Sequence, residues 1–326
     1  MSSVSPPSSP SLIEGRITKM GVTLSETPQE SLRDLTIAKD LALSPPDNGV
    51  SSSSTHQRYV EYTLRMESQT SKITDEVSTV QAPLAQYLGQ TVEVKFLGKI
   101  SCVMCNKTIK KTYGDGLCYP CFMDSPGAAE CVIRPILCRA HEGKGRDVEW
   151  ELRNHAQPHL VYLALSNKYK VGVTRDWPTR WVDQGAAAVH VIAETPYRQL
   201  AGQIEVFLSQ YYSDRTSWQR MLKGELLEDA DLEREVHHAR SLLPPELSVY
   251  GDVDYTPLYL NYPVFEAVTR VKSLKLDKIP ELRARLIGAR GQYLIFDGGA
   301  VLNLRAHTGY HAQISIPESS QAHSGH

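Results

Sequence analysis

Residues 102–121 read CVMCNKTIKKTYGDGLCYPC, and this stretch decides how the middle of the chain is organised. It holds two Cys-x-x-Cys pairs, Cys102 with Cys105 and Cys118 with Cys121. Two such pairs joined by a short loop place four thiolates around one tetrahedral Zn²⁺ ion. The sequence therefore predicts a structural zinc site in this stretch.

The loop between the two pairs supports that interpretation. Gly114 and Gly116 supply the positive-φ positions that a tight knuckle hairpin needs. The alternatives are a redox dithiol and buried structural thiols, but a redox motif needs only one Cys-x-x-Cys pair beside a βαβ unit. Bound zinc would supply folding energy to a segment that has little apolar core of its own.

The two remaining cysteines suggest a second metal site. Cys131 and Cys138 are followed by His141 and His155. Two thiolates with two imidazoles would make a Cys₂His₂ zinc site. The alternative is two buried thiols beside surface histidines, and the irregular spacing leaves both interpretations open.

Length and composition bound the class of protein. The chain has 326 residues, of which 41% are apolar and 22% charged, with a net charge of -2, so it has room for two or three domains and is not basic over its whole surface. It has no apolar run of bilayer-spanning length and no secretory signal, which predicts a cytoplasmic protein without a membrane partner. In that reducing compartment, clustered cysteines favour metal binding over disulfides.

Hydrophobic patterning predicts an α+β protein with a split β-domain. The strands expected at 59–66 and 91–98 would join C-terminal strands in one curled sheet or small barrel, with a zinc-knuckle module and an α/β module inserted between the two halves. The expected segments are a largely disordered extension with a short strand near 15–20 (1–57), strands (58–99), the cysteine cluster (100–158), the α/β module (159–245), the C-terminal β-domain (246–316) and a tail (317–326).

The α/β module has the clearest local signals. Residues 159–166 and 169–174 have the composition of two apolar strands, which Asn167 and Lys168 would join as a hairpin. A short helix should begin at Asp176-Trp177-Pro178 and end before Gly185. A strand at 188–195 and an amphipathic helix at 197–212 follow, and then an acidic helix at 227–243.

These elements carry a resemblance. The stretch HLVYLAL…YKVGVTRDWPTRWVDQGA resembles the opening of a GIY-YIG nuclease domain. The tyrosine of that family falls on Tyr162, its glycine on Gly172, its helix arginine on Arg180 and its glutamate on Glu205. The resemblance implies phosphodiester cleavage, in which the tyrosine assists attack by water, the arginine steadies the phosphate charge and the glutamate holds Mg²⁺ or Mn²⁺.

The chain departs from the GIY-YIG pattern at two places. Lys170 stands where the second motif has tyrosine, giving KVG, and the first motif reads LVY without its glycine. Because a lysine can contact phosphate as a point charge, we group Lys170 with Tyr162, Arg180 and Glu205 as the candidate catalytic set. Each of these residues, taken alone, could instead have a purely structural role; Tyr162, for example, could be an aromatic residue of the core.

A wider resemblance covers most of the chain. The words GRITKM, CYPCF, KVGVTR, RWVDQGA, DRTSW and GQYLIFDGG occur in order and resemble a bacterial family catalogued as domain of unknown function 2797. Further cysteines accompany Cys131 and Cys138 in that pattern. The resemblance implies that His155 stands near the place of one of them and Gly145 at another, so the second metal site is altered or lost here.

Three classes of function follow from these features. The first is a zinc-dependent binder of DNA or RNA, with or without hydrolysis, whose knuckle loop offers three lysines and Tyr113 to phosphates and bases. Those lysines are Lys107, Lys110 and Lys111. The second is a non-catalytic interaction scaffold stabilised by zinc. The third is an enzyme acting on a small molecule, with the VDQGA turn (182–186) as its pocket.

Overall fold

The structure is a computed structural model that describes residues 12–29, 57–69, 77–213, 215–227 and 230–317. The sequence LRDLTIAKDLAL (32–43) predicts a helical turn, and this segment lies outside these ranges. Most of the N-terminal extension and nearly all of the predicted tail lie outside them as well.

Fourteen strands are present in the described residues. They are β1 (Leu12–Ile17), β2 (Gly21–Ser25), β3 (Gln57–Gln69), β4 (Val77–Pro83), β5 (Thr91–Ile100), β6 (His159–Leu165), β7 (Tyr169–Thr174), β8 (Ala188–Thr195), β9 (Leu258–Asn261), β10 (Lys272–Ser273), β11 (Glu281–Arg290), β12 (Tyr293–Phe296), β13 (Ala300–Asn303) and β14 (Tyr310–Ser315).

Eight α-helices accompany these strands within the same ranges. They are α1 (Tyr119–Asp124), α2 (Glu130–Ile133), α3 (Val148–His155), α4 (Thr179–Asp183), α5 (Arg198–Leu208), α6 (Trp218–Leu222), α7 (Leu232–Leu242) and α8 (Pro245–Ser248). Short 3₁₀ turns at Pro135–Leu137 and Ala140–Glu142 join α2 to α3. The α+β class is therefore confirmed. No helix in the described parts of the chain is both long and apolar enough to cross a lipid bilayer.

The strands form one large sheet in the order β10-β13-β12-β11-β5-β14-β1-β3-β9-β8-β6-β7, with β2 and β4 also paired to β3. Strand β5 lies between β11 and β14, and β1 pairs with β14. Strands from the two ends of the chain are thus hydrogen-bonded neighbours. The parallel pairing of β3 with β9 and the antiparallel pairing of β9 with β8 continue the sheet into the α/β module.

Strand β6 is buried on both faces, and its alternation separates two cores. Leu160, Tyr162 and Ala164 face the larger core, which the N- and C-terminal strands share. Their odd-numbered neighbours on β6 face a second core that is covered by α5 and α7. A third, small core surrounds Cys131 and Cys138.

Several element boundaries differ from the sequence expectations. The sequence YPVFEAVTRV (262–271) predicts a strand, but these residues contribute only a bridge between Val264 and Gly288. Pro263 has no N–H to donate to a sheet ladder, which accounts for the break. Helix α5 is shorter than the expected 197–212, and α7 is shorter than 227–243. Gly185 follows α4 with φ of 67°, as expected of a residue that ends a helix.

Candidate functional site

The four cysteines of residues 102–121 meet at one point. Their sulfur atoms all lie within 4.8 Å of one another. The Sγ atoms of Cys105 and Cys118 are 3.8 Å apart. Four sulfurs bound about 2.3 Å from a central zinc are separated by about 3.8 Å, so this geometry fits a tetrahedral ion.

The backbone of the knuckle explains why these cysteines converge. Asn106 turns the chain with φ of 58°, and the Cys102 N–H donates to the Lys107 carbonyl at 2.9 Å. Gly114 and Gly116 have φ of 53° and 93°, as the sequence predicted. A Cβ on Gly116 would lie 2.7 Å from the methyl group of Thr308, so glycine is needed there for space as well.

The knuckle is electrostatically suited to a cation and is fixed to the sheet. Burial raises the pKa of Cys102, but hydrogen bonds from backbone N–H groups, including those of Cys105 and Cys118, outweigh it and lower the pKa to about 6. The thiolate, which is the ligand form, is therefore favoured. Arg16 of β1 donates to the Cys102 carbonyl at 2.9 Å. Asp115 accepts two hydrogen bonds from the Arg305 guanidinium, at 2.8 and 3.1 Å.

A second group of possible ligands consists of Cys131, Cys138, Glu151 and His155, all buried, with ligand atoms within 4.8 Å of one another. The Cys131 sulfur lies 3.8 Å from Glu151 Oε2 and 3.7 Å from His155 Nδ1. Glu151 and His155 sit one helical turn apart on α3, so both point to the same side. This set differs from the one expected at this position.

The difference concerns His141, which the sequence analysis placed among the ligands. Its ring stacks on Tyr197 with centroids 4.2 Å apart, and it lies outside the cluster. Glu151 takes its place. A Cβ on Gly145 would collide with the Glu151 carboxylate, so that carboxylate fills the space of a side chain at position 145. The signal that could have found Glu151 is its i,i+4 spacing from His155.

The two thiols of this cluster have different pKa values. The pKa of Cys138 is lowered to about 4, first by the hydrogen bond from Cys131, against the opposing effect of burial, and further by His155. The pKa of Cys131 is raised by the same hydrogen bond and by burial. The lowered pKa of Cys138 favours its thiolate, which is the form that binds a metal ion.

All four candidate catalytic residues line one cleft of about 410 Å³. Tyr162 comes from β6, Lys170 from β7, Arg180 from α4 and Glu205 from α5. Tyr162 faces Gly172 across the β6–β7 pairing. A Cβ on residue 172 would lie 2.7 Å from the Tyr162 hydroxyl, so only glycine leaves room for the ring.

Gln184 organises the base of the cleft. Its Oε1 accepts hydrogen bonds from the Tyr162 hydroxyl at 3.2 Å and from Lys170 Nζ at 3.3 Å. Tyr162 is only 1% exposed. Burial raises the pKa of Tyr162 to about 12, although Arg180 opposes the shift. At neutral pH the phenol therefore keeps its proton and acts as a hydrogen-bond donor.

Arg198 connects the cleft to the second cysteine cluster and was not predicted from the sequence. It lines the cleft and donates to the carbonyls of Cys131 and Val132, at 3.1 and 3.0 Å. Glu205 lies about two turns further along the same helix and therefore on the same face. Burial lowers the pKa of Arg198, while Cys131, Cys138 and Glu205 raise it.

The sequence comparisons place these features in one family. A family model described as a protein of unknown function, DUF2797, matches residues 89–312. The chain belongs to the DUF2797 family. The matched span contains both cysteine clusters and every candidate residue of the cleft. The comparisons with curated proteins and with solved structures find no match.

A second pocket, of about 330 Å³, lies beside the cleft. The two share Arg180 and Arg198, and the second adds Arg175. Trp177, 51% exposed, stands close by with its ring 5.6 Å from that of Trp181. Cationic and aromatic side chains thus lie together on this side of the DUF2797 segment.

The other two candidate regions are partly used for packing. In the knuckle loop, the Tyr113 ring contacts Tyr119 at 5.3 Å and lies under Lys111 Nζ at 5.0 Å. The VDQGA turn docks on the β-strands: Gln292 donates to Asp183 at 2.7 Å and Arg290 to the Gly185 carbonyl at 3.0 Å. These contacts give the turn a structural role.

Proposed function

We propose that this DUF2797 protein binds zinc and nucleic acid, and that its cleft hydrolyses phosphodiesters of DNA or RNA in the manner of a GIY-YIG nuclease. The observation that carries the proposal is the meeting of Tyr162, Lys170, Arg180 and Glu205 in a single cleft. The resemblance selects Tyr162, Arg180 and Glu205, and Lys170 stands where that family has a tyrosine. The four residues come from four different elements.

The charges of the cleft suit a phosphate backbone. Lys170, Arg180 and Arg198 line it, and Arg175 extends the positive charge into the adjoining pocket. Arginine and lysine contacts to phosphate oxygens position a nucleic acid without reading its sequence. The exposed Trp177 offers a surface on which an unpaired base could stack. Single-stranded DNA or RNA is therefore the first substrate to test.

The site fits a divalent cation that arrives with the substrate. Glu205 is a half-buried carboxylate at the cleft wall. Mg²⁺ is often held by one or two carboxylates together with substrate phosphates, so a single glutamate is sufficient. When bound, Mg²⁺ or Mn²⁺ would stabilise the charge that develops on the phosphoryl oxygens.

The protein residues have distinct roles in this proposal. Arg180 steadies the phosphate charge and Lys170 adds a point charge where the family has a phenol. The Tyr162 phenol donates to Gln184 and accepts from Arg180, and the second lone pair of its oxygen would orient a water molecule. Since the pKa of Tyr162 is raised to about 12, its role is to position the water rather than to deprotonate it.

We also propose the finer architecture expected from the sequence. The N- and C-terminal strands would form one split β-domain, and the zinc knuckle and the GIY-YIG-like module would be inserted between its halves. The pairing of β5 with β11 and β14, and of β1 with β14, supports this arrangement.

A second candidate function is a non-catalytic interaction scaffold stabilised by zinc. One observation favours it: Tyr162 is almost completely buried, whereas a tyrosine that orients water must reach the cleft. Under this alternative the same cations would bind a partner without hydrolysis.

A cleavage assay separates the two candidates. Zinc-loaded protein is incubated with labelled single-stranded DNA and RNA in Mg²⁺ or Mn²⁺. The variants are Glu205→Gln and, as a control from the same helix, the half-buried Gln203→Ala. The nuclease proposal predicts cleavage by the wild type and Gln203→Ala but not by Glu205→Gln. Binding without cleavage under every condition would leave the scaffold, and the absence of both would refute the nucleic-acid proposal.

A further inference from the structure

We propose that Cys131, Cys138, Glu151 and His155 form a second zinc site, and that its metal fixes one wall of the cleft. The wall consists of residues 132–136, which line the cleft together with Tyr162 and Lys170. The metal site does not depend on the cleft being a nuclease, because its ligands lie outside the candidate catalytic set.

The geometry and chemistry of the cluster favour zinc. Its recorded ligand separations are 3.7–3.8 Å. Tetrahedral ligands at about 2.0–2.3 Å from a zinc ion are about 3.3–3.8 Å apart. Two thiolates with one imidazole and one carboxylate are too soft a set for Mg²⁺ or Ca²⁺, which prefer oxygen ligands only. All four side chains are buried, so the ligand atoms are shielded from solvent.

The surroundings of the ligands provide support and access. Glu151 Oε1 accepts the backbone N–H of Arg146 at 2.8 Å, which leaves Oε2 directed at the cluster. Hydrogen bonds of this kind orient the ligands of metal sites. A surface pocket of about 520 Å³, lined in part by Cys131, Gly145 and Glu151, gives an ion a path from solvent.

The cluster is joined to the cleft by close packing. Cys131 and Cys138 stand at the two ends of the segment that contains the wall, so a metal bound to both closes it into a loop. Arg198 ties α5 to the Cys131 and Val132 carbonyls. A Cβ on Gly202 would collide with the backbone of Pro135 and Ile136, so the wall rests directly on the helix that carries Glu205. Loss of the metal should therefore increase the local opening of both the wall and helix α5.

Metal analysis tests the site itself. Purified, reduced wild-type protein should contain two zinc ions per chain, and its X-ray absorption should average three sulfur ligands and one nitrogen or oxygen ligand per zinc. Glu151→Gln should lower the affinity for the second zinc ion by about tenfold or more in a chelator competition. His141→Ala is the matched control and should keep both ions. Cys131→Ser/Cys138→Ser should retain one ion.

Two results would overturn the assignment. One is a wild-type chain with a single zinc bound by four sulfurs. The other is loss of the second ion in His141→Ala but not in Glu151→Gln. The coupling is tested separately by hydrogen exchange of Glu151→Gln: faster exchange is expected in 131–138 and 198–208 but not in β11–β14. Unchanged exchange after loss of the second ion would refute the coupling. Neither measurement uses nucleic acid, so the outcomes are independent of the proposed nuclease.

Discussion

Replacing Gly202 with alanine tests the contact between the cysteine-cluster wall and α5. A methyl group at this position would collide with the backbone nitrogen of Ile136 and the backbone carbon of Pro135. Neither is the end of a flexible side chain, so the helix or the wall must move.

The expected effect on stability is the difference between two terms. Overpacking of a well-packed site typically destabilises a protein by about 1–3 kcal/mol, and a backbone collision belongs to the upper part of that range. Alanine is better than glycine in a helix by up to about 1 kcal/mol. The net result is a loss of about 1–2 kcal/mol in the free energy of unfolding.

Urea denaturation of zinc-loaded protein measures this difference. Gly251→Ala is the matched control, because the nearest atom to its new Cβ would be 3.7 Å away. Its stability should therefore change by less than about 0.5 kcal/mol. The reasoning is refuted if Gly202→Ala gains about 1 kcal/mol, since a gain is what the helix would show if its face were open.

Three further predictions concern pH and metal. Because the pKa of Tyr162 is raised from 10 to about 12, stability should fall by up to about 2–3 kcal/mol between pH 10 and 12, and base titration of Tyr162→Phe should show a smaller fall. Burial lowers the pKa of His190 to about 4, so its stabilisation is present above about pH 6.5 and is lost on acidification; His190→Phe should lose less in acid denaturation. Removal of zinc by a chelator should lower the melting temperature reversibly in calorimetry, and an unchanged value in verified metal-free protein would contradict the structural role of the ions.

Local patterns in the sequence were sufficient for much of the fold. Alternation located β3, other strand-forming runs located β5–β8, and Gly185 marked the end of α4. The spacing of the cysteines was sufficient to predict the four-cysteine cluster, because each Cys-x-x-Cys pair forms a local turn.

Long-range relationships were not accessible in the same way. The parallel pairing of β3 with β9 joins residues about two hundred positions apart, and no local pattern records it. Glu151 was missed because its place in the cluster depends on α3, which the patterning did not predict. The contribution of Arg198 depends on the backbone carbonyls of Cys131 and Val132. Every residue has a backbone carbonyl, so a contact to one cannot be predicted from residue types.

The most direct test of a phosphate-binding cleft is the salt dependence of oligonucleotide binding. Fluorescence anisotropy of a labelled single strand is measured with zinc-loaded wild type and with Arg175→Ala/Arg180→Ala over a series of salt concentrations. Each phosphate contact contributes about −0.7 to the slope of log K against log salt for single strands, so the double variant should bind more weakly and its slope should be shallower by about 1.4. A wild type that fails to bind, or a double variant with unchanged affinity and slope, would contradict the account.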